Sequence, residues 1–300
     1  MSDAPCLTVV IPTHDRPDLL REAVESALAA CPAHTEVLVV DDRSRVPAET
    51  VLAGLMTDER LRVMPSPGPA GAAGARNAGV AAARAPLVLF LDDDDWLLPG
   101  YPARILALDP ASRFGFCATV TESSRIPGRS RYKTGPLDAR IPLRHRLVGF
   151  GCGFWISREL YLALGGCDPA QRVDEDTEFC CRLAAGGMMP FYDATPGIRV
   201  RRSPSHADRL TRSTAPAEVV ACYRRTWERH QSNFGPWSEA RWHLATRLIR
   251  RAIREGRPQD AMDSLARVTP RSFRVALWAV YHAKRLRHAP LPRSGARGDA

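Results

Sequence analysis

The feature that most constrains the fold is a run of five apolar residues, Leu87–Leu91, that leads directly into four aspartates, Asp92–Asp95. A short apolar run bounded by polar residues is typical of a strand buried on both faces of a parallel sheet. Four adjacent carboxylates repel one another, so we expect a cation among them, and Mg²⁺ and Mn²⁺ prefer such oxygen ligands. The alternative is a solvated acidic loop that caps the next helix.

The residues before this run alternate between apolar segments and segments with helical periodicity. They predict strands at Thr8–Ile11, Glu36–Val40 and Leu61–Met64, and helices over about 17–30, 48–56 and 75–84. A strand, a helix and a second strand form a right-handed unit in which the strands are parallel. The predicted fold class is therefore α/β, with a Rossmann-like, mostly parallel central sheet.

A second acidic pair, Asp41-Asp42, ends the predicted second strand. Because the carboxyl ends of parallel strands lie at one edge of a sheet, both acidic segments should face one crevice. A carboxylate there can accept hydrogen bonds from a nucleobase N–H or from ribose hydroxyls. A helix cap or an Asx-turn explains Asp41 equally well when it is taken alone. Before the first helix, Asp15 is predicted to be the N-cap.

The segment Gly68–Gly74 is rich in glycine and follows the predicted third strand. Its G-x-x-G-x-x-G spacing, and its place after the third strand instead of the first, argue against a dinucleotide-binding fingerprint. A loop that leads into a helix carrying Arg76 near phosphate groups fits better, because a guanidinium offers a fixed fork to anionic oxygens. The alternative is an ordinary loop at the start of a helix.

Charge and periodicity divide the chain unevenly. Residues 1–195 hold 20 Lys and Arg against 25 Asp and Glu, whereas residues 196–300 hold 22 against 8. We predict an α/β domain over 1–215, a helical extension over 216–288 and a disordered tail over 289–300. No apolar run of about 18 residues and no signal-peptide pattern is visible, and the scattered cysteines favour reduced thiols. We therefore expect a cytoplasmic location.

Five segments in this order resemble the motifs of family 2 inverting glycosyltransferases with the GT-A fold. They are Val9–Arg16, Val39–Ser44, Gly74–Gly79, Leu91–Trp96 and Glu175-Asp176. The likeness covers about residues 5–215, and Arg202–Arg212 loosely resembles a segment that closes over the donor. It implies a nucleoside diphosphate sugar as donor, with UDP favoured over dTDP and GDP, and a hydroxyl acceptor on a sugar, a glycolipid or a small molecule.

The resemblance also implies roles for individual residues. Donor-binding positions would be Pro12, Thr13, Asp15, Asp41, Arg76, Asp92 and Asp93, with Asp41 at the base N–H and Arg76 near the diphosphate. Asp94, with Asp92, would hold Mn²⁺ or Mg²⁺ as the D-x-D element. Asp176 would be the catalytic base, and a simple N-cap is its alternative role.

Two other classes of function compete with this interpretation. A phosphotransferase or phosphatase would use Asp92 as nucleophile and Asp94 as acid, but Trp96 stands where a small residue is usual and no lysine precedes Lys133. The second competing class is a basic module that binds nucleic acid or a membrane. Nearly all of the positive charge is arginine, which genome base composition alone can produce, so we predict no nucleic-acid partner.

The last predicted helix, over about 272–286, is basic and amphipathic. Phe273, Leu277, Val280, Tyr281 and Lys284 recur in it at helical spacing. Such a helix can lie on an anionic membrane, which would bring the enzyme to the inner membrane face as a peripheral protein. The alternative is that its apolar face packs on the helices near 237–254.

Overall fold

The computed structural model of the chain describes residues 4–121, 132–138, 140–201, 214–266 and 268–288, without the side chains of 285–288. These residues belong to two compact units, Met1–Thr214 and Ala215–Ala300. The predicted donor-closing segment 202–212 and the predicted disordered tail 289–300 lie outside the described residues. No helix among the described residues is long and apolar enough to cross a membrane.

The first unit is an α/β fold. Its strands are β1 Leu7–Thr13, β2 Thr35–Asp41, β3 Leu61–Pro65, β4 Leu87–Phe90, β5 Trp96–Leu97, β6 Phe114–Thr121, β7 Gly135–Pro136, β8 Trp155–Ser157 and β9 Phe191–Val200. Its helices are α1 Pro17–Ala30, α2 Ala48–Val51, α3 Ala72–Ala82, α4 Tyr101–Leu106, α5 Arg158–Ala163 and α6 Glu175–Ala185. The three strands and the first helix predicted at the start of the chain are therefore present.

The strands form one sheet in the order β3-β2-β1-β4-β8-β6-β9-β5, with β7 paired to β9. The strands β3, β2, β1 and β4 are parallel to one another, β8 runs antiparallel to its neighbours β4 and β6, and β6 is parallel to β9. The sheet is mostly parallel, as predicted. The carboxyl ends of β1, β2 and β4 consequently lie at one edge.

Apolar residues on both faces of the sheet hold it between layers of helices. Val9 and Ile11 pack into a core that includes Leu20 and Val24 of α1, whereas Val10 packs into a separate core on the other face. Successive side chains of a strand point to opposite faces, so a strand covered on both sides is apolar at most positions. This explains the apolar runs Val37–Val40 in β2 and Leu87–Phe90 in β4.

Three local predictions are wrong in detail. Arg16, not Asp15, occupies the N-cap position of α1, because Asp15 adopts a left-handed backbone (φ 54°) and its carboxylate binds Arg45. The helix predicted over 48–56 ends at Val51 and gives way to a 3₁₀ turn. Helix α3 begins at Ala72, three residues earlier than predicted, directly after a left-handed glycine.

The second unit consists of helices α7 Pro216–His230, α8 Glu239–Arg254, α9 Pro258–Leu265 and α10 Arg271–His288. Phe273, Leu277 and Tyr281 of α10 are buried. The Phe273 ring makes edge contacts with Trp237 and Trp242, whose ring centroids lie 5.2 and 5.7 Å away. The alternative in which this apolar face packs on the preceding helices is therefore confirmed.

Candidate active site

The acidic site lies at the carboxyl edge of the sheet, where β4 ends. Ligand atoms of Asp92, Asp94 and Asp95 all lie within 4.8 Å of one another. Burial, and next the charge of Asp92, raise the pKa of Asp95 to about 8. A set of hard oxygen donors of this kind fits Mg²⁺ or Mn²⁺. Of the three, Asp95 was not predicted, and only its place in the aspartate run marks it in the sequence.

Asp93 has a different environment from the other three aspartates. It is buried, and its carboxylate accepts hydrogen bonds from Thr13 Oγ1 at 2.8 Å and from Arg16 at 2.9 Å. Burial raises its pKa to about 6, even though Arg16 acts in the opposite direction. Asp93 therefore connects the end of β4 to the end of β1. Thr13 and Asp93, both predicted donor-binding residues, lie side by side.

Arg16 was not predicted as a site residue, although it closes the first of the five motifs. The guanidinium lies 3.3 Å from Asp94 Oδ2 as well as 2.9 Å from Asp93, and about a quarter of the side chain is exposed. Burial opposes its charge, but Asp93 and Asp94 raise the pKa of Arg16 above its ordinary value. Arg16 is thus a cation that reaches the buried Asp93 and the partly exposed Asp94 of the aspartate run.

Arg76 is buried between two carboxylates. One guanidinium nitrogen lies 2.9 Å from Asp92 Oδ1 and the other 2.5 Å from Glu175 Oε1, while the guanidinium stacks over Phe150 at 5.3 Å from the ring centroid. Burial disfavours its charge, but Asp92 and Glu175 raise its pKa above the ordinary value. The fork expected to face phosphate oxygens is therefore occupied by carboxylates. Glu175 was not predicted as its partner.

Asp176 lies in the first turn of α6, where the N-terminal end of a helix favours a negative charge. Its Oδ1 accepts hydrogen bonds from the Thr177 N–H at 2.6 Å and from Thr177 Oγ1 at 3.3 Å. Asp174 occupies the N-cap position, with a left-handed backbone and no side-chain cap. The alternative role of Asp176 as a simple N-cap is therefore wrong.

A glycine-containing segment, 149–153, lies close to Asp92 at one glycine and close to Asp176 at another. A Cβ at Gly151 would lie 2.5 Å from Asp92 Oδ2, and one at Gly149 would lie 3.0 Å from Asp176 Oδ2. The next residue, Cys152, senses both groups of carboxylates. Burial, and then the charges of Asp176, Asp92 and Asp95, raise the pKa of its thiol to about 11. The structure thus brings Asp176 close to the aspartate run. Sequence analysis did not identify this segment as part of the site.

The acidic end of β2 is engaged with backbone groups. Asp41 accepts from Ser44 N at 2.9 Å and from Ala48 N at 2.8 Å. Asp42 accepts from Gly71 N at 2.6 Å and pairs with Arg43 at 2.7 Å. The cap and turn role proposed as an alternative for Asp41 is therefore present in the structure, together with a link from Asp42 to the loop before α3.

The turn after β1 contacts the turn after β2. Asp15 accepts hydrogen bonds from the Arg45 N–H at 2.7 Å and from Arg45 Nε at 2.9 Å, and its own N–H donates to Ser44 Oγ. Pro12 pairs in register with Val40. The predicted donor-binding residues Pro12, Thr13, Asp15 and Asp41 therefore lie around two adjacent strand ends.

Arg201, which follows β9, is a further site residue that sequence analysis missed. Its backbone N–H donates to Asp95 Oδ1 at 2.9 Å, and its Nε donates to the Asp94 carbonyl at 3.2 Å. The guanidinium lies 3.9 Å from the centre of the Trp96 ring. It is 106 positions from Asp95, and no signal in the sequence links the two.

The sequence and the fold were compared with known proteins. Residues 8–162, more than half of the chain, match the model of glycosyl transferase family 2. An uncharacterized glycosyltransferase of Haemophilus influenzae is 26% identical over 184 residues, which are 59% of this chain and 61% of that protein. The succinoglycan biosynthesis protein ExoO of Rhizobium meliloti is 33% identical over 139 residues, 46% of this chain and 40% of that protein. The chain thus covers less than two thirds of either relative.

Among solved structures, the chain is similar to S. aureus TarS 1–349 in complex with UDP-GlcNAc. The TM-score is 0.70 at 15% identity, over 94% of this chain and 88% of that one. This likeness confirms the predicted GT-A-like α/β fold, and the family match confirms the prediction of a transferase enzyme. The chain therefore belongs to glycosyl transferase family 2.

Proposed function

We propose that the enzyme transfers a sugar from a nucleoside diphosphate sugar, with UDP-sugar as the first candidate, to an acceptor hydroxyl with inversion at the anomeric carbon. The observation that carries this proposal is the convergence of Asp92, Asp94 and Asp95 beside two arginines and close to Asp176. The fold likeness to TarS bound to UDP-GlcNAc supports the donor class.

Asp94 and Asp92, joined by Asp95, would hold a Mn²⁺ or Mg²⁺ ion. A bound divalent cation would offset the negative charge that grows on the departing nucleoside diphosphate. Arg16 is the better candidate than Arg76 for a direct contact with that diphosphate, because its side chain is partly exposed while that of Arg76 is buried. Arg76 would instead hold Asp92 and Glu175 in position.

Asp176 would act as the catalytic base. The acceptor oxygen attacks the anomeric carbon from the face opposite the leaving group, and its proton passes to the Asp176 carboxylate. The new glycosidic bond forms as the bond from the anomeric carbon to the diphosphate oxygen breaks. One displacement inverts the configuration, so no covalent sugar–enzyme intermediate is needed. Asp176 lies in the first turn of α6, where the N-terminal end of the helix interacts favourably with negative charge.

The nucleoside would lie along the ends of β1 and β2, beside Pro12, Thr13 and Asp15. Asp41 already accepts two backbone N–H groups, but each carboxylate oxygen has a second lone pair, so a base N–H can still bind there. Asp93 would act through Thr13 and Arg16, to which it is hydrogen-bonded.

The names of relatives suggest a class of product. ExoO is named for succinoglycan biosynthesis, and RfbC of Myxococcus xanthus, 34% identical over 208 residues, for O-antigen biosynthesis. We propose that this enzyme also acts in polysaccharide or glycolipid assembly. The eight cysteines are all free thiols, which suits the proposed cytoplasmic location at the inner membrane face.

A hydrolysis and transfer screen over UDP-, dTDP- and GDP-sugars tests the proposal. We expect release of one nucleoside diphosphate with Mn²⁺ or Mg²⁺, none with excess chelator, and recovery when the ion is restored. The anomeric configuration of a transferred sugar, read by nuclear magnetic resonance, tests inversion. Unchanged activity in chelator would contradict the metal site, and a product of retained configuration would contradict the single displacement.

A further inference from the structure

Helix α10 has a second apolar face, opposite the one that is buried. Phe273, Leu277 and Tyr281 are buried, but Val275 and Trp278 are 61% and 53% exposed. The neighbouring Ala279 and His282 are exposed too, and the His282 ring lies 4.3 Å from the Trp278 ring. Residues at these spacings share one side of a helix. We call Val275, Trp278, Ala279 and His282 the outer face of α10.

The charge of α10 is of one sign. The 18-residue helix contains the five basic residues Arg271, Arg274, Lys284, Arg285 and Arg287 and no aspartate or glutamate. Arg271 is exposed and lies one turn before Val275, on the same side of the helix. The outer face therefore combines an exposed tryptophan with the exposed Arg271, on a helix that carries no acidic residue.

We propose that the outer face of α10 binds an anionic lipid surface. Tryptophan is enriched at membrane–water interfaces, and a helix with exposed apolar side chains among Lys and Arg binds anionic lipid headgroups. A second copy of the chain is the less suitable occupant, because a symmetric contact would bring two strongly basic helices together.

This inference does not depend on the proposed transfer reaction, and it replaces the surface that sequence analysis suggested. That surface, made by Phe273, Leu277 and Tyr281, is part of the core of the second unit. Contact through the outer face leaves that core intact. The helix lies on the lipid surface without crossing it.

The test uses the full chain and flotation with two kinds of vesicle, pure phosphatidylcholine and a mixture with one quarter phosphatidylglycerol. We expect binding to the mixed vesicles that weakens as salt rises, since surface charges are screened. Trp278→Ala and Arg271→Glu should each weaken binding by about tenfold. Matched controls are Leu162→Ala, at an exposed apolar residue of the first unit, and Arg140→Glu, at a largely exposed arginine there. Both should bind like the unaltered chain.

Three results would overturn the inference. They are no binding of the unaltered chain to the mixed vesicles, equal binding of Trp278→Ala, or a dimer in sedimentation that Trp278→Ala dissociates, which would assign the outer face to a second copy. Circular dichroism confirms that each variant is folded. Donor hydrolysis is measured in parallel, so a failure of the proposed transferase activity with intact vesicle binding would be recognised as separate.

Discussion

Two strands of the same sheet end in aspartates, and their carboxylates have different partners. At the end of β2, Asp41 and Asp42 accept hydrogen bonds from backbone N–H groups of the following turn, of α2 and of the loop before α3. At the end of β4, Asp92, Asp94 and Asp95 converge on one another and on arginine side chains.

The difference shows what an acidic strand end can do. Backbone N–H groups, together with Arg43 beside Asp42, satisfy the first pair of carboxylates, so these hold loops in place. At the second end three carboxylates share one small volume, and their mutual repulsion is relieved only in part by Arg16 and Arg76. It is at this second arrangement that we propose a divalent cation. The following variants test whether one end supports the chemistry and the other mainly supports the fold.

The largest effect is expected for Asp94→Ala. The side chain is partly exposed, so its loss should leave the melting temperature nearly unchanged while transfer falls below detection. Activity assays with and without added Mn²⁺, together with thermal unfolding, measure both. Asp138→Ala, at an exposed aspartate elsewhere in the first unit, is the control and should stay active. A fully active Asp94→Ala enzyme would remove the distinction between the two strand ends.

Asp176→Asn should come next, with turnover reduced by about 10²- to 10⁴-fold because the amide cannot accept the acceptor proton. The variant keeps the size of the side chain and a carbonyl oxygen that can accept from the Thr177 N–H. Donor affinity, measured by calorimetry, should therefore stay close to that of the unaltered enzyme. If affinity falls together with turnover, Asp176 has a structural role.

The bridge made by Arg76 sharpens the comparison at the β4 end. Arg76→Met leaves Glu175 buried without a partner and should lower the free energy of unfolding by about 3–5 kcal/mol. The double variant Arg76→Met with Glu175→Leu should regain most of that stability, since no buried charge is left unpaired. Turnover should remain about 10- to 100-fold low because Asp92 has lost its support. Denaturant unfolding and kinetics measure the two quantities, and a stable, fully active double variant would contradict the positioning role.

The smallest effect on turnover is expected at the β2 end. Asp41→Ala removes the acceptor for the Ser44 and Ala48 N–H groups and should lower the free energy of unfolding by about 1–2 kcal/mol. The proposed base contact predicts a weaker affinity for the donor with turnover at saturation nearly unchanged. Urea unfolding and the donor KM measure these effects. A loss of turnover as large as that of Asp94→Ala would mean that the β2 end and the β4 end contribute equally to catalysis.

Much of the fold could be predicted because the signals for it are local. The apolar runs of β1, β2 and β4 and the periodicity of α1 and α10 follow from what each segment must bury. Boundaries set by contacts outside the segment were missed, as at Asp15, whose carboxylate binds Arg45 in the turn after β2 instead of capping α1. The same limit applies to α10, where periodicity identified an amphipathic helix but not the exposed Trp278 on its other side.

The sequence by itself determined that the carboxyl edge of a mostly parallel sheet is acidic, because strand direction and the residues that end each strand are local properties. Only the tertiary structure decided which carboxylates meet. Arg76 and Glu175 are 99 positions apart, Arg201 and Asp95 are 106 apart, and Gly151 fits against Asp92 only because it has no side chain. Such pairings depend on how distant segments pack, and on which charges can be satisfied once they are buried together.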